Sequence, residues 1–363
     1  MIIIVYIILG LFGSIVTFLS FSPQFGKNPS KSQKQLYSTF ENYKDGAFAN
    51  IEEAVMITGD MPRGEFFKDV PGRRPHKDFS PQKIDFKEFK NSNENSIKFV
   101  WIGHSSFLFN IGGKLIMLDP MFGEYCAPVP IPTLKRFQED IALSIEDIDS
   151  IDLVIFSHDH YDHLDYPTIK KIKNKVKKFY VPYGIGNHLK RWGVKDNSIT
   201  EFNWYDSKKL NDIDIVCLPS RHFSGRGPKN RNSTLWASWA IISQLGKIYF
   251  SGDGGYGSHF KDIGKKYGPF DLSLIDSGQY NTAWKHSHMF PKQAVMAAQD
   301  LGSKYYMPIH WGAFKLSTHH WTDPVEGAIL YAKEYGQKII TPQLGEIVAL
   351  NNPNQVVFKW WNQ

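Results

Sequence analysis

The sequence predicts one α/β domain, and three observations lead to this prediction. Short apolar, β-branched runs typical of buried strands recur along the chain, with stretches of helical character between them. The 363 residues contain no visible internal repeat. Several strand-like runs end in a histidine or an aspartate that is followed by small or turn-forming residues, so polar side chains are expected in the loops at strand ends.

The elements follow from local patterns. A helix is predicted over residues 292–301, directly after a proline. The densest basic cluster, 170–178, has apolar residues at helical spacing and is interpreted as an amphipathic helix with a solvated basic face. The strand-like runs lie at residues 96–102, 107–111, 115–118, 153–156, 178–181, 213–218, 237–242, 247–250, 272–275, 305–309 and 338–340.

Residues 157–165 are the most informative segment, and they follow a predicted buried strand. Imidazoles and carboxylates this close together are costly to hold unpaired, and a divalent cation removes that cost. We therefore predict a metal site here rather than a histidine-rich surface loop. Zinc is favoured, with manganese and iron as alternatives. The side chains that could hold a metal are His158, Asp159, His160, Asp162, His163 and Asp165.

Three later runs each end in one further residue that can bind metal: His222, Asp253 and His310. Each is a weak signal alone, and Asp253 before two glycines could be a plain turn. Together with the 157–165 loop they form one constellation. His158 and His160 could face one ion, and the other loop residues could serve a second ion nearby if a carboxylate bridges the two.

This pattern, His-x-His-x-Asp-His followed by a later His, an Asp and a last His, resembles that of the metallo-β-lactamase superfamily. Within that superfamily the chain is similar to N-acyl-phosphatidylethanolamine phospholipase D. A bacterial lactonase acting on a sugar-acid phosphate shares part of the pattern. The segments that carry the likeness are residues 45–50, 101–105, 118–120, 157–165, 235–239, 252–256, 267–271 and 309–314.

The resemblance implies an αββα sandwich of two mixed β-sheets flanked by helices, with two zinc ions per chain. It further implies that a hydroxide bridging the metals attacks a phosphodiester, releasing phosphatidic acid and a hydroxyl-bearing amide. The alternatives are a metal-dependent hydrolase of a soluble ester, lactone or phosphate-bearing metabolite, and a non-enzymatic metal-binding protein. The implied ligands are His158, His160 and His222 for one ion, Asp162, His163 and His310 for the other, and Asp253 between them.

Other polar residues are expected to support this centre. The resemblance places His288 beside the metals, where it would bind phosphate or donate a proton to the leaving oxygen; His286 is the competing candidate. Phe290 stands where the resembled enzyme has an acidic residue. His104 is expected to support the ligands, and Asp119 either to accept the second ring hydrogen bond of a ligand histidine or to be a turn residue. The remaining histidines are interpreted as surface or packing residues: His76, His188, His259, His319 and His320.

The amino terminus predicts a membrane anchor. Residues 1–21 carry no charged side chain, and about 20 apolar residues form about 30 Å of helix, enough to cross a bilayer. We predict a single-pass anchor at 1–21, a linker at 22–45 and a hydrolase domain at 46–363. A cleaved signal peptide is the alternative. Lys27, Lys31 and Lys34 after the span favour a cytoplasmic catalytic domain.

Composition narrows the expected partners. The net charge is +6, and no basic-aromatic stripe or nucleic-acid module is visible, so nucleic acid is not expected to bind. Cys126 and Cys217 are the only cysteines, which excludes a disulfide framework but fits either side of a bacterial membrane. The expected partners are a phospholipid substrate and membrane lipids, and a homodimer is compatible with the sequence.

Overall fold

Two β-sheets packed face to face form the centre of the computed structural model. It describes residues 2–55, 57–59, 61, 64–65, 68, 70–77, 79–92, 95–228, 230–353 and 359–362. The strands are β1 (Tyr43–Lys44), β2 (Ala47–Phe48), β3 (Ile97–Gly103), β4 (Ser106–Ile111), β5 (Lys114–Leu118), β6 (Ile151–Ile155), β7 (Val176–Pro182), β8 (Ile199–Phe202), β9 (Ser207–Leu210), β10 (Ile213–Leu218), β11 (Ser238–Ser243), β12 (Gly246–Phe250), β13 (Leu272–Asp276), β14 (Tyr305–Ile309) and β15 (Ile347–Ala349).

Helices cover the outer faces of both sheets. The helices of the described residues are α1 (Ile2–Phe21), α2 (Lys31–Tyr37), α3 (Phe86–Lys90), α4 (Tyr166–Ile172), α5 (Gly186–Arg191), α6 (His259–Tyr267), α7 (Pro291–Asp300) and α8 (Asp323–Glu334). Side chains of α3, α4 and α5 pack in one apolar cluster with the first sheet, and side chains of α6, α7 and α8 pack in another with the second. Short 3₁₀ turns lie at Pro23–Phe25, Pro132–Leu134, Asp196–Ser198, Thr282–Trp284 and Trp360–Asn362.

Both sheets are mixed. The seven-stranded sheet runs in the order β15-β3-β4-β5-β6-β7-β8, and the six-stranded sheet in the order β14-β13-β12-β11-β10-β9. Strands β5 to β8 are parallel neighbours, as are β12 to β14, whereas the other neighbours in these two sheets are antiparallel. Parallel strands end at the same edge of a sheet, so the loops after them are brought together.

The apolar runs in the sequence have a simple cause, since most strands are buried on both faces. In β4, Phe107 and Phe109 point into the core between the sheets, and Leu108 points into the helix-covered layer. In β11, Trp239 and Ala240 divide in the same way between the central core and the second helical layer. The predicted αββα sandwich is confirmed.

Two local predictions were wrong. The predicted strand at 338–340 is absent from the described structure, where Ile339 makes only an isolated bridge to Tyr306. The basic cluster at 170–178 is not one helix, because α4 ends at Ile172 and β7 begins at Val176. The apolar residues after Ile172 follow helical spacing by coincidence and pack into the sheet, where Phe179 pairs with residues of β6 and β8.

The predicted transmembrane helix is also wrong. Residues 2–21 are helical, but across the described chain no helix combines the length and apolar character needed to cross a bilayer. Small and hydroxyl-bearing residues recur along α1, among them Gly10, Gly13, Ser14 and Ser20. The predicted localisation, a single membrane pass with a cytoplasmic catalytic domain, rested on this segment and is corrected with it.

The segment after α1, assigned to a linker from the sequence, is hydrogen-bonded to the sandwich. Arg191 donates to the carbonyl oxygens of Phe21 and Gly26, each at 2.6 Å. The indole of Trp192 donates to the carbonyl of Pro23, also at 2.6 Å. The backbone of this segment is therefore paired with side chains of α5 and of the residue that follows it.

Buried Arg226 joins the same segment to the 157–165 loop. Its guanidinium donates to the carbonyl of Gln24 at 2.7 Å and to the carbonyls of Asp159 and Leu164 at 2.7 and 2.6 Å. The guanidinium also lies 4.8 Å from the ring centre of Tyr161. One side chain thus holds the amino-terminal segment against the loop that carries the predicted metal ligands.

Gly26 gives a direct test of this attachment. It has a φ of +69°, and a Cβ there would overlap the imidazole of His188, whose Nδ1 accepts from the amide of Lys27 at 2.9 Å. Gly46 has a similar φ of +79° but open space around it. We expect Gly26→Ala to lower the free energy of unfolding by about 1–3 kcal/mol more than Gly46→Ala, measured by urea denaturation. Equal losses in the two variants would contradict the tight packing described.

Candidate metal centre

Loops that follow β6, β10, β12 and β14 bring together the seven residues that the resemblance implies as metal ligands, but not Asp159 and Asp165. Gly252, with a φ of +57°, lets the loop after β12 lie directly on the loop after β6, since a Cβ there would overlap the side chain of Ser157. Among the described residues the ligand-capable atoms form four overlapping groups, each with all its atoms within 4.8 Å of one another. The first group is His158, His160, His222 and Asp253, and the second is His104, Asp162, His163 and His310. The third is Asp253, Asp276, His288 and His310, and the fourth is Asp119, His158 and His163.

In the first group, three imidazole nitrogens converge. Nδ1 of His160 lies 2.9 Å from Nε2 of His158 and 3.2 Å from Nε2 of His222. Nδ1 of His222 donates to the carbonyl of Ser287 at 3.0 Å, so its Nε2 carries the lone pair. Burial lowers the pKa of His158, His160 and His222. These rings are therefore neutral and able to coordinate a cation.

In the second group, Asp162 is the central acceptor. Its Oδ2 lies 2.8 Å from Nε2 of His104, 3.2 Å from Nε2 of His310 and 3.4 Å from Nε2 of His163. Nδ1 of His163 pairs with Oδ2 of Asp119 at 2.7 Å, which leaves Nε2 of His163 directed into the group. Asp119 thus orients a candidate ligand, which is the first of the two roles considered for it.

Asp253 belongs to the first group and also reaches histidines of the second. Its Oδ2 is 3.1 Å from Nε2 of His163, 3.7 Å from Nε2 of His158 and 3.9 Å from Nε2 of His222. Its Oδ1 is 3.2 Å from Nδ1 of His310. One carboxylate therefore reaches histidines of both groups, as a bridging ligand must.

Two observations indicate that these residues fit a bound cation. The first is the presence of buried polar atoms without hydrogen-bond partners. Among the described residues, Nε2 of His163 and Oδ1 of Asp253 are buried without a hydrogen bond of good geometry. A water molecule or an ion would satisfy such atoms. Both atoms point into the region where the two groups meet.

The second observation is charge. Burial opposes ionisation of Asp162 and Asp253, but the charge of His163 outweighs it and holds the pKa of both carboxyls well below the usual range. Burial alone would lower the pKa of His310, yet Asp253 and Asp276 raise it to about 10. Protons on the histidines thus compensate buried carboxylates, and divalent cations can replace those protons.

Backbone strain is concentrated at this edge of the sandwich. His104, Asp119 and His310 are non-glycine residues with positive φ, at +55°, +37° and +67°. His104 pairs with Trp311 in an isolated antiparallel bridge, and the amide of His310 donates to the carbonyl of His104 at 3.2 Å. The turn after β3 and the loop after β14 therefore hold each other in backbone conformations that residues other than glycine seldom adopt.

The other residues singled out from the sequence have varied positions. His288 has a side chain that is 13% exposed, with its ring 5.0 Å from that of His310 and 5.3 Å from that of His222. His286 belongs to none of the candidate groups among the described residues. Asp165 accepts from the amide of Thr168 at 2.9 Å and caps α4.

Asp159 also points away from the metal groups. Its carboxylate accepts from the amide of Gly225 at 2.7 Å and from the hydroxyl of Thr234 at 2.9 Å, and it lies 3.1 Å from Nε2 of His188. His188 is fully buried, as expected for a packing residue. Asp159 and His188 thus brace the back of the loop instead of facing an ion.

Sequence reasoning missed two supporting residues. Asn50 clamps a ligand: its Oδ1 accepts from the amide of His222 at 3.0 Å, and its Nδ2 donates to the carbonyl of the same residue at 2.8 Å. Asp276 ends β13 and contacts both His288 and His310. Asp276 could have been found, since it follows an apolar run and precedes Ser-Gly in the same way that Asp253 precedes glycines. Asn50 had no such signal.

Comparison with known proteins agrees with this geometry. Residues 114–311 match the model of the beta-lactamase superfamily domain. An uncharacterized protein of Mycobacterium tuberculosis is 36% identical over 88% of this chain and 87% of its own length. N-acyl-phosphatidylethanolamine-hydrolyzing phospholipase D 1 of Caenorhabditis elegans is 32% identical over 70% of this chain and 76% of its own length. The structure of a metallo hydrolase from the archaeon Ignicoccus hospitalis aligns with a TM-score of 0.53 at 22% identity, over 70% of this chain and 98% of that one.

The chain therefore belongs to the beta-lactamase superfamily, as its motifs predicted. It is a metal-dependent hydrolase of that superfamily. The solved structure supports the fold, and the identities with the sequence relatives support the family.

Asp119 gives a test of the centre that does not need a substrate. We expect Asp119→Asn to weaken zinc binding by about 10-fold to 100-fold, because His163 loses the charged acceptor that orients its ring. Titration against a competing chelator measures this directly. The matched control is Asp149→Asn, an exposed carboxylate paired with Lys90 at 2.8 Å, which should bind zinc as the unaltered protein does. Unchanged affinity in Asp119→Asn would contradict the orienting role.

Proposed function

We propose that this chain is a di-zinc phosphodiesterase of phospholipase D type, acting on N-acyl phosphatidylethanolamine-like phospholipids. The observation that carries the substrate assignment is the 32% identity, over 70% of this chain, with a Caenorhabditis elegans enzyme named for hydrolysing that phospholipid. The choice of two zinc ions is supported by two adjacent groups of imidazole and carboxylate ligands.

The two groups divide the work of holding metal. His158, His160 and His222 would hold one ion, while Asp162, His163 and His310 would hold the other, with Asp253 in contact with both. Such ions supply Lewis acidity toward a phosphate group and make water a better nucleophile near neutral pH. The chain's own residues fix where those ions stand, through the hydrogen bonds that Asp119, Asn50 and Ser157 make to the ligands or their backbone.

The substrate side of the site is set by the less buried residues. Asp162 is 8% exposed, and His160 and His288 are partly exposed, whereas His158, His163, His222 and His310 are buried. A phosphate group approaching the centre would therefore meet His160 and His288 first. We assign His288 the binding of a phosphate oxygen or the donation of a proton to the leaving oxygen, which its partial exposure beside the candidate ligands supports.

The test is turnover by the purified chain, after chelation and zinc readdition, on N-acyl phosphatidylethanolamine and on a panel of lactones and simple esters. We expect release of phosphatidic acid that disappears on chelation and returns with zinc. Asp253→Asn should reduce turnover by more than about 10³-fold, because the bridging carboxylate charge is lost. Asp212→Asn, in the exposed turn between β9 and β10, should leave it unchanged.

The outcomes separate the alternatives. Turnover of lactones or esters without release of phosphatidic acid would overturn the substrate assignment and leave a metal-dependent hydrolase. Equal turnover by Asp253→Asn and the unaltered protein would overturn the role given to the bridging carboxylate.

A further inference from the structure

Asp276 is a buried carboxylate beside the metal groups that is not among the ligands predicted from the sequence. It is the last residue of β13 and is 0% exposed. Its Oδ2 lies 2.8 Å from Nδ1 of His288, and its Oδ1 lies 3.3 Å from Nδ1 of His310. The amides of Gly254 and Gly278 each donate to it at 3.2 Å. Two backbone donors therefore fix the orientation of the carboxylate independently of its contacts with the two histidines.

The contact with His288 determines how that ring presents itself. Because Nδ1 of His288 faces a buried carboxylate, Nδ1 carries the hydrogen and Nε2 is the atom left for other partners. The backbone on that side is also fixed, since the carbonyl of Ser287 accepts from Nδ1 of His222 at 3.0 Å. The ring is thus held between the rings of His222 and His310, with part of its surface exposed.

We propose that Asp276 is a positioning residue that forms a carboxylate–imidazole pair with His288 and aims Nε2 of His288 at the leaving oxygen. The inference rests on the proposed phosphodiesterase function. The oxygen of water forms the new bond to phosphorus, and the bond from phosphorus to the alcohol oxygen breaks. That oxygen takes the proton from Nε2 of the His288 imidazolium, whose other hydrogen stays on Nδ1 against Asp276, and the proton lost by the attacking water returns to Nε2 through solvent.

The pair makes a specific demand on the substrate. A proton donor matters when the leaving oxygen would otherwise depart as a strongly basic alkoxide, and it matters little when the leaving group is a stable phenolate. The proposed pair therefore suits a phosphodiester of an aliphatic alcohol. In an N-acyl ethanolamine phospholipid, the bond from phosphorus to the ethanolamine oxygen is of this kind.

The experiment uses the zinc-loaded protein and compares two substrates, an alkyl phosphodiester and the matching p-nitrophenyl phosphodiester. His288→Gln should lower kcat on the alkyl substrate by about 10²-fold or more and change kcat on the nitrophenyl substrate by less than about threefold. Asp276→Asn should lose activity in the same selective pattern, by no more than His288→Gln does. The double variant should be no slower than His288→Gln, because both changes remove one function.

Two further measurements separate positioning from general support. The variants are compared at full zinc loading, checked by elemental analysis, because Asp276 also lies 3.3 Å from the candidate ligand His310; under these conditions Asp119→Asn, whose carboxylate orients a ligand, should slow both substrates together. Histidine-selective ¹⁵N labelling should show the His288 ring, identified by its absence in His288→Gln, protonated at Nδ1 in the unaltered protein and altered in Asp276→Asn.

Equal slowing of both substrates by Asp276→Asn, or additive losses in the double variant, would overturn the proposal. Failure of the proposed function has a different signature, since the unaltered protein would then cleave no phosphodiester. If it cleaves carboxylic esters instead, the same comparison of alkyl and nitrophenyl esters tests the pair, with the same selective loss expected and equal losses overturning it.

Discussion

The structure depends on the compensation of charge buried around Asp253. Asp119, Asp162, Asp253 and Asp276 are all almost inaccessible to solvent and lie among histidines at one edge of the sandwich. Burying one carboxylate without a partner is strongly unfavourable, and burying several close together is worse. Protons on the histidines compensate part of this charge, but protonated histidines repel one another. Divalent cations bound among these residues would remove both difficulties, so metal binding would also stabilise this edge of the sandwich.

The αββα architecture makes this arrangement reachable. Parallel strands in both sheets end at the same edge, so residues from distant parts of the chain meet there without long excursions of the backbone. The pairing of His104 with Trp311, and the hydrogen bonds of Arg226 to the 157–165 loop, hold these loops against one another. The apolar layers on either side of each sheet supply the stability against which local strain at His104 and His310 is maintained.

Most of the candidate ligand set could be predicted from sequence, because residues 157–165 crowd imidazoles and carboxylates after a strand and because His222, Asp253 and His310 each follow a strand-like run. Supporting residues were harder to find. Asn50 acts on a residue 172 positions away through a neutral amide, which leaves no local pattern. The prediction of a membrane span rested on the absence of charged side chains in residues 1–21, and it was wrong because no described helix combines the length and the apolar character that a bilayer requires. In the basic cluster at 170–178, the apolar residues keep helical spacing although the helix ends at Ile172 and a strand begins at Val176.

Anomalous X-ray scattering at the zinc edge, from crystals grown with zinc, tests the central claim most directly. We expect two peaks, one among His158, His160 and His222 and the other among Asp162, His163 and His310, with the carboxylate of Asp253 between them. A single peak that leaves one of these groups without a metal would contradict the two-ion centre. The absence of any peak at this edge of the sandwich would contradict the account as a whole.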